Sequence, residues 1–91
     1  MSYRYLATET FWRNFYNLAP EQKETTRKVW QLFKKDPFDP RLGTHKILRL
    51  SAIMRRTVYA VVIEADLRVV FYIDSDLVVS FNNGTHDVYR A

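Results

Sequence analysis

The sequence contains no cysteine, only two histidines and only two glycines. The absence of cysteine excludes disulfides, iron–sulfur clusters and thiolate zinc sites, and it fits a reducing cytoplasm. Two histidines without a close carboxylate spacing do not indicate a metal site, so we expect neither a metal nor another cofactor. Because the chain also has no repeat and no low-complexity tract, it is expected to form one domain over residues 1–91.

Long apolar runs are absent as well. No stretch approaches the roughly 18 apolar residues that a membrane span needs, and the opening segment MSYRYLATE lacks the apolar centre of a signal peptide. A chain of 91 residues can bury one core but has little room for a large enclosed ligand cavity. We therefore expect a cytoplasmic protein whose function lies on its surface or in a shallow cleft.

Acidic residues are missing from one long segment, which runs from Pro40 to Ile63. Its five bases are Arg41, Lys46, Arg49, Arg55 and Arg56. This local charge exceeds the net charge of +4 carried by the whole chain, so the positive charge is concentrated there. Such a segment is either a solvated loop with an edge strand or a surface that binds phosphates.

The first part of the chain is predicted to be helical after a short strand. Weak alternation from Ser2 to Leu6 indicates the strand, and then Phe11, Phe15 and Leu18 recur with the period of a helix. Thr8 is positioned to cap that helix at its N-terminus.

A second helix is predicted to begin at Pro20 and to end at Asp36, because Pro37 disfavours helical geometry in the residue before it. One face of this helix carries Thr26, Val29, Trp30 and Phe33. Aromatic residues at helical spacing are typical of core packing, although they could also form a platform on which bases stack.

After the turn-rich segment DPFDPRLG, the period changes from helical to strand-like. Four strands are predicted, at Thr44–Leu50, Arg56–Glu64, Leu67–Ile73 and Leu77–Asn82. Short polar turns, at residues 65–66 and 74–76, make the last three an antiparallel meander. The predicted fold class is therefore α+β, with a short N-terminal strand, two helices packed on one face of the sheet, and a meander.

Alternation along the last two strands predicts which side chains face the helices. The apolar sets are Leu67, Val69, Phe71 and Ile73 on one strand and Leu77, Val79 and Phe81 on the next. If the helices cover this apolar face, the opposite face is open and carries Arg68, Tyr72, Ser80 and Asn82.

Four segments in this order resemble the RelE/ParE superfamily of bacterial toxins from type II toxin–antitoxin pairs. They are the Phe11–Phe15–Leu18 helix ending in LAPE, the run DPFDPRLGTHKIL, the hairpin EADLRVVFY and the closing GTHDVYR. The histidine after the DP run and the closing GTH are most similar to the YafQ-like mRNA interferases. The resemblance implies an endoribonuclease that cuts mRNA on the ribosome and is neutralised by a cognate antitoxin protein.

The resemblance also implies roles for individual residues. His45, Asp66 and His86 fall where the YafQ-like branch carries catalytic residues, while Val62 stands where that branch has another histidine. Arg68 falls where many RelE relatives carry an arginine that binds phosphate.

Cleavage of RNA by its own 2′-hydroxyl needs a base, a cation for the phosphate and an acid for the departing 5′-oxygen, and it needs no metal. Histidine, with an ordinary pKa of about 6.5, can act as acid or base near neutrality. We expect His86 to be the general acid, His45 the base or its assistant, and Arg68 the phosphate clamp. Asp66 would orient a histidine or contact RNA, and Tyr89 would stack on a base or position the phosphate. The remaining predicted RNA-binding residues are Lys46, Arg49, Arg55, Arg56, Tyr72 and Asn82.

Other interpretations of the same residues remain open at this point. A histidine beside a strand is usually a hydrogen-bonded surface residue, and Arg68 could simply pair with Asp66 or Glu64 across its hairpin. ParE-like proteins share the scaffold and are understood to inhibit DNA gyrase without a nuclease site, so a gyrase inhibitor is one alternative function. An inactive relative that only binds RNA or an antitoxin is another.

Overall fold

A five-stranded sheet, in the strand order β1-β5-β4-β3-β2, organises the computed structural model, which describes residues 2–89. The strands are β1 (Arg4–Ala7), β2 (His45–Lys46), β3 (Val58–Glu64), β4 (Leu67–Asp74) and β5 (Leu77–Gly84). The helices are α1 (Glu9–Tyr16), α2 (Pro20–Lys35) and α3 (Leu48–Met54), with short 3₁₀ turns at Pro40–Leu42 and His86–Tyr89. β1 pairs with β5 in parallel, and the other pairs are antiparallel. The predicted α+β class and the meander are confirmed.

The first two helices begin and end for local reasons that the sequence already contains. The Thr8 hydroxyl accepts a hydrogen bond from the Phe11 N–H at 3.3 Å, which confirms it as the N-cap of α1. Pro20 occupies the first turn of α2, where its missing N–H costs nothing, and the helix stops before Asp36 and Pro37.

The main hydrophobic core lies between α1, α2 and one face of the sheet. The helices contribute Phe11, Phe15 and Phe33, and the sheet contributes Val61, Ile63, Leu67, Val69, Phe71 and Val78. Thr26 is buried, and Val29 and Trp30 pack against the same core, so the face predicted for α2 is mainly a core face. The predicted inward face of β4 is confirmed.

The face assignment predicted for β5 was wrong. The β4–β5 turn has two residues, so Asp74 pairs with Leu77 and Ile73 with Val78, whereas a three-residue turn would shift the alternation by one position. Ser80 consequently pairs with Phe71 on the helix side of the sheet and is buried.

A β-bulge then shifts the register again. Phe71 pairs with Ser80 and Val70 pairs with Asn82, which leaves Phe81 as the extra residue. The Asn82 side-chain oxygen accepts a hydrogen bond from Asn14 of α1 at 2.6 Å, so this side chain is held by the helix instead of lying on an open face. Of the four residues predicted for the open face, Arg68 and Tyr72 lie on the side away from α1 and α2, and Ser80 lies on the helical side. Asn82 pairs with Val70 of the second core, while its side chain bonds to α1.

The predicted strand Thr44–Leu50 was also wrong beyond its first residues. Strand pairing covers only His45 and Lys46, and the chain then forms α3. Ile47, Leu50 and Met54 have the i, i+3, i+7 spacing of one helical face, and they pack on the second face of the sheet. Arg55 follows in the left-handed conformation with φ of 56°, which ends the helix, and β3 therefore begins at Val58 instead of Arg56.

A second core fills the face that was predicted to be open. Its buried residues are Ile47, Leu50, Val58, Ala60 and Val70, and partly buried Met54, Phe81, Val88 and Tyr89 pack against them. The sheet is therefore covered on both sides, by α1 and α2 on one and by α3 with the C-terminal 3₁₀ turn on the other.

The helical assignment of residues 48–54 predicts that two neighbouring leucines contribute very differently to stability. Leu50 is 2% exposed and Leu48 is 77% exposed, although a strand would place both on the same face. We expect Leu50→Ala to lower the free energy of unfolding by about 2–5 kcal/mol and Leu48→Ala to change it by about 0.5 kcal/mol or less. Urea denaturation of both variants measures this difference. Equal losses would contradict the helix.

Candidate active site

The C-terminal 3₁₀ turn brings a histidine against the turn between β3 and β4. His86 Nδ1 lies 2.6 Å from Asp66 Oδ1, and both side chains are more than half exposed. Because an ionised carboxylate can only accept, Nδ1 carries the hydrogen and donates it to Asp66. The second ring nitrogen, Nε2, is thereby left to accept or donate a proton elsewhere.

A glycine makes this return of the chain possible. Gly84 pairs with Arg68 at the end of β5 and has a φ of +153°. Residues that carry a Cβ atom rarely adopt this backbone angle. A Cβ atom there would come within 2.9 Å of a Val88 methyl group. The glycine thus lets residues 85–89 fold back onto the sheet, where Val88 packs in the second core.

The hydrogen bond from His86 governs the titration of Asp66. It lowers the pKa of the Asp66 carboxyl below its ordinary value, and the positive charge of Arg68 lowers that pKa by a smaller amount. Asp66 is therefore ionised at neutral pH and keeps the imidazole oriented.

Arg68 is anchored to the same turn through backbone carbonyls. Its Nη1 donates to Glu64 O at 2.7 Å and to Ala65 O and Leu67 O at 3.2 Å. Its Nε is buried, and no partner for this atom is found among residues 2–89. Arg68 thus braces the backbone that carries Asp66, where the sequence had suggested a side-chain pair with Asp66 or Glu64.

Tyr89 stands beside the pair but is largely a packing residue. Its ring meets the His86 ring edge to face, with centroids 5.3 Å apart, and it packs against the second core. The Tyr89 hydroxyl is buried without a partner in the described part of the chain. Arg90, the last residue of the closing GTHDVYR segment, lies outside the described residues.

In the described part of the chain no hydrogen bond joins His45 to this pair. His45 lies on β2 opposite Ala60, a residue of β3 that is four positions before Glu64. Its Nδ1 is 2.8 Å from Gly43 O, as expected for a hydrogen-bonded surface histidine. Lys46 pairs with Tyr59, whose ring packs in the main core, so Lys46 lies on the other face of the sheet from His45.

The basic segment is divided by the fold. Arg41 is paired with Asp39 at 2.9 Å, and this bond lowers the pKa of Asp39 to about 2. Arg49 and Arg55 are exposed on and just after α3. The phosphate-facing charge available from this segment is therefore smaller than its composition suggests.

Arg56 takes a position that the sequence did not indicate. Its guanidinium carbon lies 4.2 Å from the centre of the Tyr72 ring, and the Tyr72 ring lies 5.7 Å from that of Phe81. The three side chains form a stack on the same side of the sheet as Arg68. The contact between Arg56 and Tyr72 follows from the β3–β4 register, in which Tyr72 pairs with Val58, two residues after Arg56.

Two kinds of site are not found in the described part of the chain. Residues 2–89 contain no group of three or more metal-ligating side chains that could hold an ion. None of the helices described is long and apolar enough to cross a membrane.

Comparison with solved structures identifies the fold. The chain superposes on a chain of the archaeal RelE–RelB complex from Pyrococcus horikoshii with a TM-score of 0.71 and 12% identity, covering 100% of both chains. YafQ from E. coli gives 0.71 and 12%, covering 99% of this chain and 100% of YafQ. A copper-bound mutant toxin from Helicobacter pylori gives 0.62 and 18%, covering 94% and 97%. No protein-family model and no curated protein sequence matches the chain. The chain has the RelE-like fold that its sequence motifs predicted.

The geometry of the pair predicts the titration of Asp66. Since the hydrogen bond from His86 favours the ionised carboxylate, His86→Ala should raise the Asp66 pKa towards its ordinary 3.8. Arg68→Gln should raise it less, because the charge of Arg68 is the weakest of the favourable influences. Carbon-detected NMR of the Asp66 carboxyl group across the acid pH range measures this pKa in the wild type and in both variants.

The same pair makes a small pH-dependent contribution to stability, whose sign follows from the lowered pKa. The contribution is present above the pKa of Asp66 in the unfolded chain and is lost as pH falls through the lower folded value. An Asp66 that titrates identically in the wild type and in His86→Ala would show that the hydrogen bond does not persist in solution.

Proposed function

We propose that this chain is the toxin of a type II toxin–antitoxin pair and acts as an endoribonuclease on mRNA bound to the ribosome. The observation that carries the proposal is the exposed His86–Asp66 hydrogen bond, formed next to Arg68 on a RelE-like fold. A titratable group oriented by a carboxylate beside a cation supplies two of the three groups that acid–base cleavage of RNA requires, the acid and the cation for the phosphate.

In this proposal His86 transfers the proton that cleavage requires. Asp66 holds Nδ1, so Nε2 meets the substrate and, when protonated, donates to the departing 5′-oxygen. The attacking 2′-hydroxyl closes a cyclic phosphate on the upstream product. The downstream product begins with a 5′-hydroxyl.

Arg68 stabilises the charge that develops on the scissile phosphate. Its guanidinium is held by three carbonyl acceptors on the β3–β4 turn, so it needs little reordering when a phosphate arrives. The stack of Arg56 on Tyr72 offers a planar cation on the same face for a neighbouring base or phosphate.

The base that takes the proton of the 2′-hydroxyl is assigned to a different source from the one expected. His45, the residue predicted from the sequence, lies on β2 opposite Ala60 and makes no hydrogen bond to the pair in the described part of the chain. A proton acceptor supplied by the ribosome completes the site, which explains why the activity would depend on translation.

The exposed arginines around α3 also indicate the kind of partner that would neutralise the toxin. An acidic segment of a cognate antitoxin, folding as it binds, would cover Arg49, Arg55 and Arg56 and block the approach of RNA. Co-expression of such a partner should therefore protect mRNA.

His86→Ala tests the proposed role of the pair. We expect the rate of mRNA cleavage on translating ribosomes to fall by roughly 10²–10⁴-fold, the usual contribution of a positioned acid, while ribosome binding stays nearly intact. His45→Ala is the matched control, since it removes the only other histidine, and its rate should fall by less than about tenfold. Primer extension locates the cuts, and end analysis should give a cyclic or 2′/3′-phosphate and a 5′-hydroxyl whether or not a chelator is present.

The alternative function gives a different set of results. A gyrase inhibitor of the ParE type would stop supercoiling of DNA and leave ribosome-bound mRNA whole. An effect of His45→Ala as large as that of His86→Ala would move the acid–base chemistry to β2. Either result would contradict the proposal.

The salt dependence of binding tests the basic surface. Replacing Arg49, Arg55 and Arg56 together by Gln removes three charges from the surface around α3, so the slope of log affinity for single-stranded RNA against log salt should fall by about 2. A control with Lys23, Lys28 and Lys35 of α2 replaced by Gln has the same change in charge and should keep the slope within about half a unit. Equal effects of the two triple variants would show that RNA affinity depends on the net charge of the protein and not on the surface around α3.

A further inference from the structure

A groove between α1 and α2 is not used by the proposed active site. It has a volume of about 390 Å³ and lies on the helical side of the sheet, whereas Arg68 and the Arg56 stack lie on the other side. The residues that line it include Trp12, Tyr16, Arg27, Trp30, Gln31 and Lys34. The volume falls within the range of sites that bind small organic groups.

Aromatic rings form much of the groove and remain accessible. Trp12 is 43% exposed and Tyr16 is 64% exposed. Their rings lie nearly parallel, with an interplanar angle of 26° and centroids 5.9 Å apart. The Trp30 ring reaches the groove from α2 and leans on Phe11 at 5.2 Å. Flat aromatic surfaces of this kind can each stack against a planar ligand.

The charges that line the groove are positive. Arg27 and Lys34 contribute to its walls, and no acidic side chain among residues 2–89 lines it. The Arg27 guanidinium lies 5.5 Å from the centre of the Phe15 ring and also approaches Glu24 at 3.6 Å. That ion pair is solvent-exposed and therefore weak, so it does not prevent Arg27 from meeting an anion.

We propose that this α1–α2 groove binds unpaired nucleotides of single-stranded RNA, with two adjacent bases stacked on the aromatic rings and their phosphates facing Arg27 and Lys34. Stacking platforms combined with cations are the chemistry by which proteins hold single strands without reading their sequence. The choice of RNA as the nucleic acid rests on the proposed function. The groove itself is argued from its rings and charges alone.

An acidic peptide is the competing occupant of a positive groove. Its apolar side chains could also pack on Trp and Tyr rings, so the test below has to separate it from RNA. A nucleobase uses those faces directly, because every base has an aromatic face of its own.

The two tryptophans of the chain make the groove directly observable. Trp12 and Trp30 are the only tryptophans in the sequence, and both line the groove. Titration of the full chain with an oligoadenylate hexanucleotide should therefore quench the intrinsic tryptophan fluorescence. AMP should quench it with an affinity lower by roughly 5- to 150-fold, since it lacks the second stacked base. Ribose 5-phosphate, which has no base, should not quench it.

Substitutions in the groove test which groups hold the nucleotide. Tyr16→Ala removes an exposed ring and should weaken hexanucleotide binding by roughly 5- to 150-fold. Phe38→Leu is the matched control, because Phe38 is 41% exposed but lies outside the groove, and it should leave the affinity unchanged. Replacing Arg27 and Lys34 together by Gln should lower the salt slope of quenching by about 1.4.

RNA binding in the groove can be tested separately from the proposed nuclease activity. His86→Ala should lower cleavage by roughly 10²–10⁴-fold and leave the quenching curve unchanged, so a chain with little nuclease activity can still show the groove to bind RNA. Equal affinity for AMP and the hexanucleotide would mean a site for free nucleotides and overturn the proposal. Quenching by a poly-glutamate peptide and not by RNA would make the groove a protein-docking surface, and quenching unaffected by Tyr16→Ala would place the nucleotide elsewhere.

Discussion

The pairing of β4 with β5 determines where the candidate active site lies. A two-residue turn at Ser75 and Asp76, with Ser75 at a φ of 59°, brings Asp74 opposite Leu77, and the bulge then brings Gly84 opposite Arg68. From that point the chain can fold back and place His86 against Asp66. A slip by one residue would move every β5 side chain to the other face and would break the bond from Asn83 to Phe11 O.

The order of the elements was predictable because each local signal agrees with the packing. The Thr8 cap, Pro20 and Pro37 bound helices whose apolar faces match the inward residues of β4. The face of β5 was not predictable from alternation, because it depends on whether the turn has two or three residues. The sequence Asp74-Ser75-Asp76 is compatible with both lengths, and packing of Val78 in the main core selects the shorter one.

Helix α3 was also not predictable from alternation. Leu48 and Leu50 alternate as in a strand, while Ile47, Leu50 and Met54 recur as in a helix, and short apolar segments of this kind satisfy both periods. The helical spacing was the signal that could have identified it. The sequence motifs indicated His86 and Asp66 as residues of the site. No spacing rule, however, predicts a contact between residues that are 20 positions apart. His45 shares the motifs and yet lies on a different part of the sheet.

The precision of the His86–Asp66 pair comes from the segments that carry it. An exposed hydrogen bond competes with water and holds two side chains only weakly, so it cannot orient a catalytic group by itself. Asp66 sits on a turn that Arg68 ties through three carbonyl groups, and His86 sits on a turn anchored by Val88 and Tyr89 in the second core. That core exists because α3 covers the sheet. The helix that alternation failed to predict therefore supports the turn on which the proposed chemistry depends.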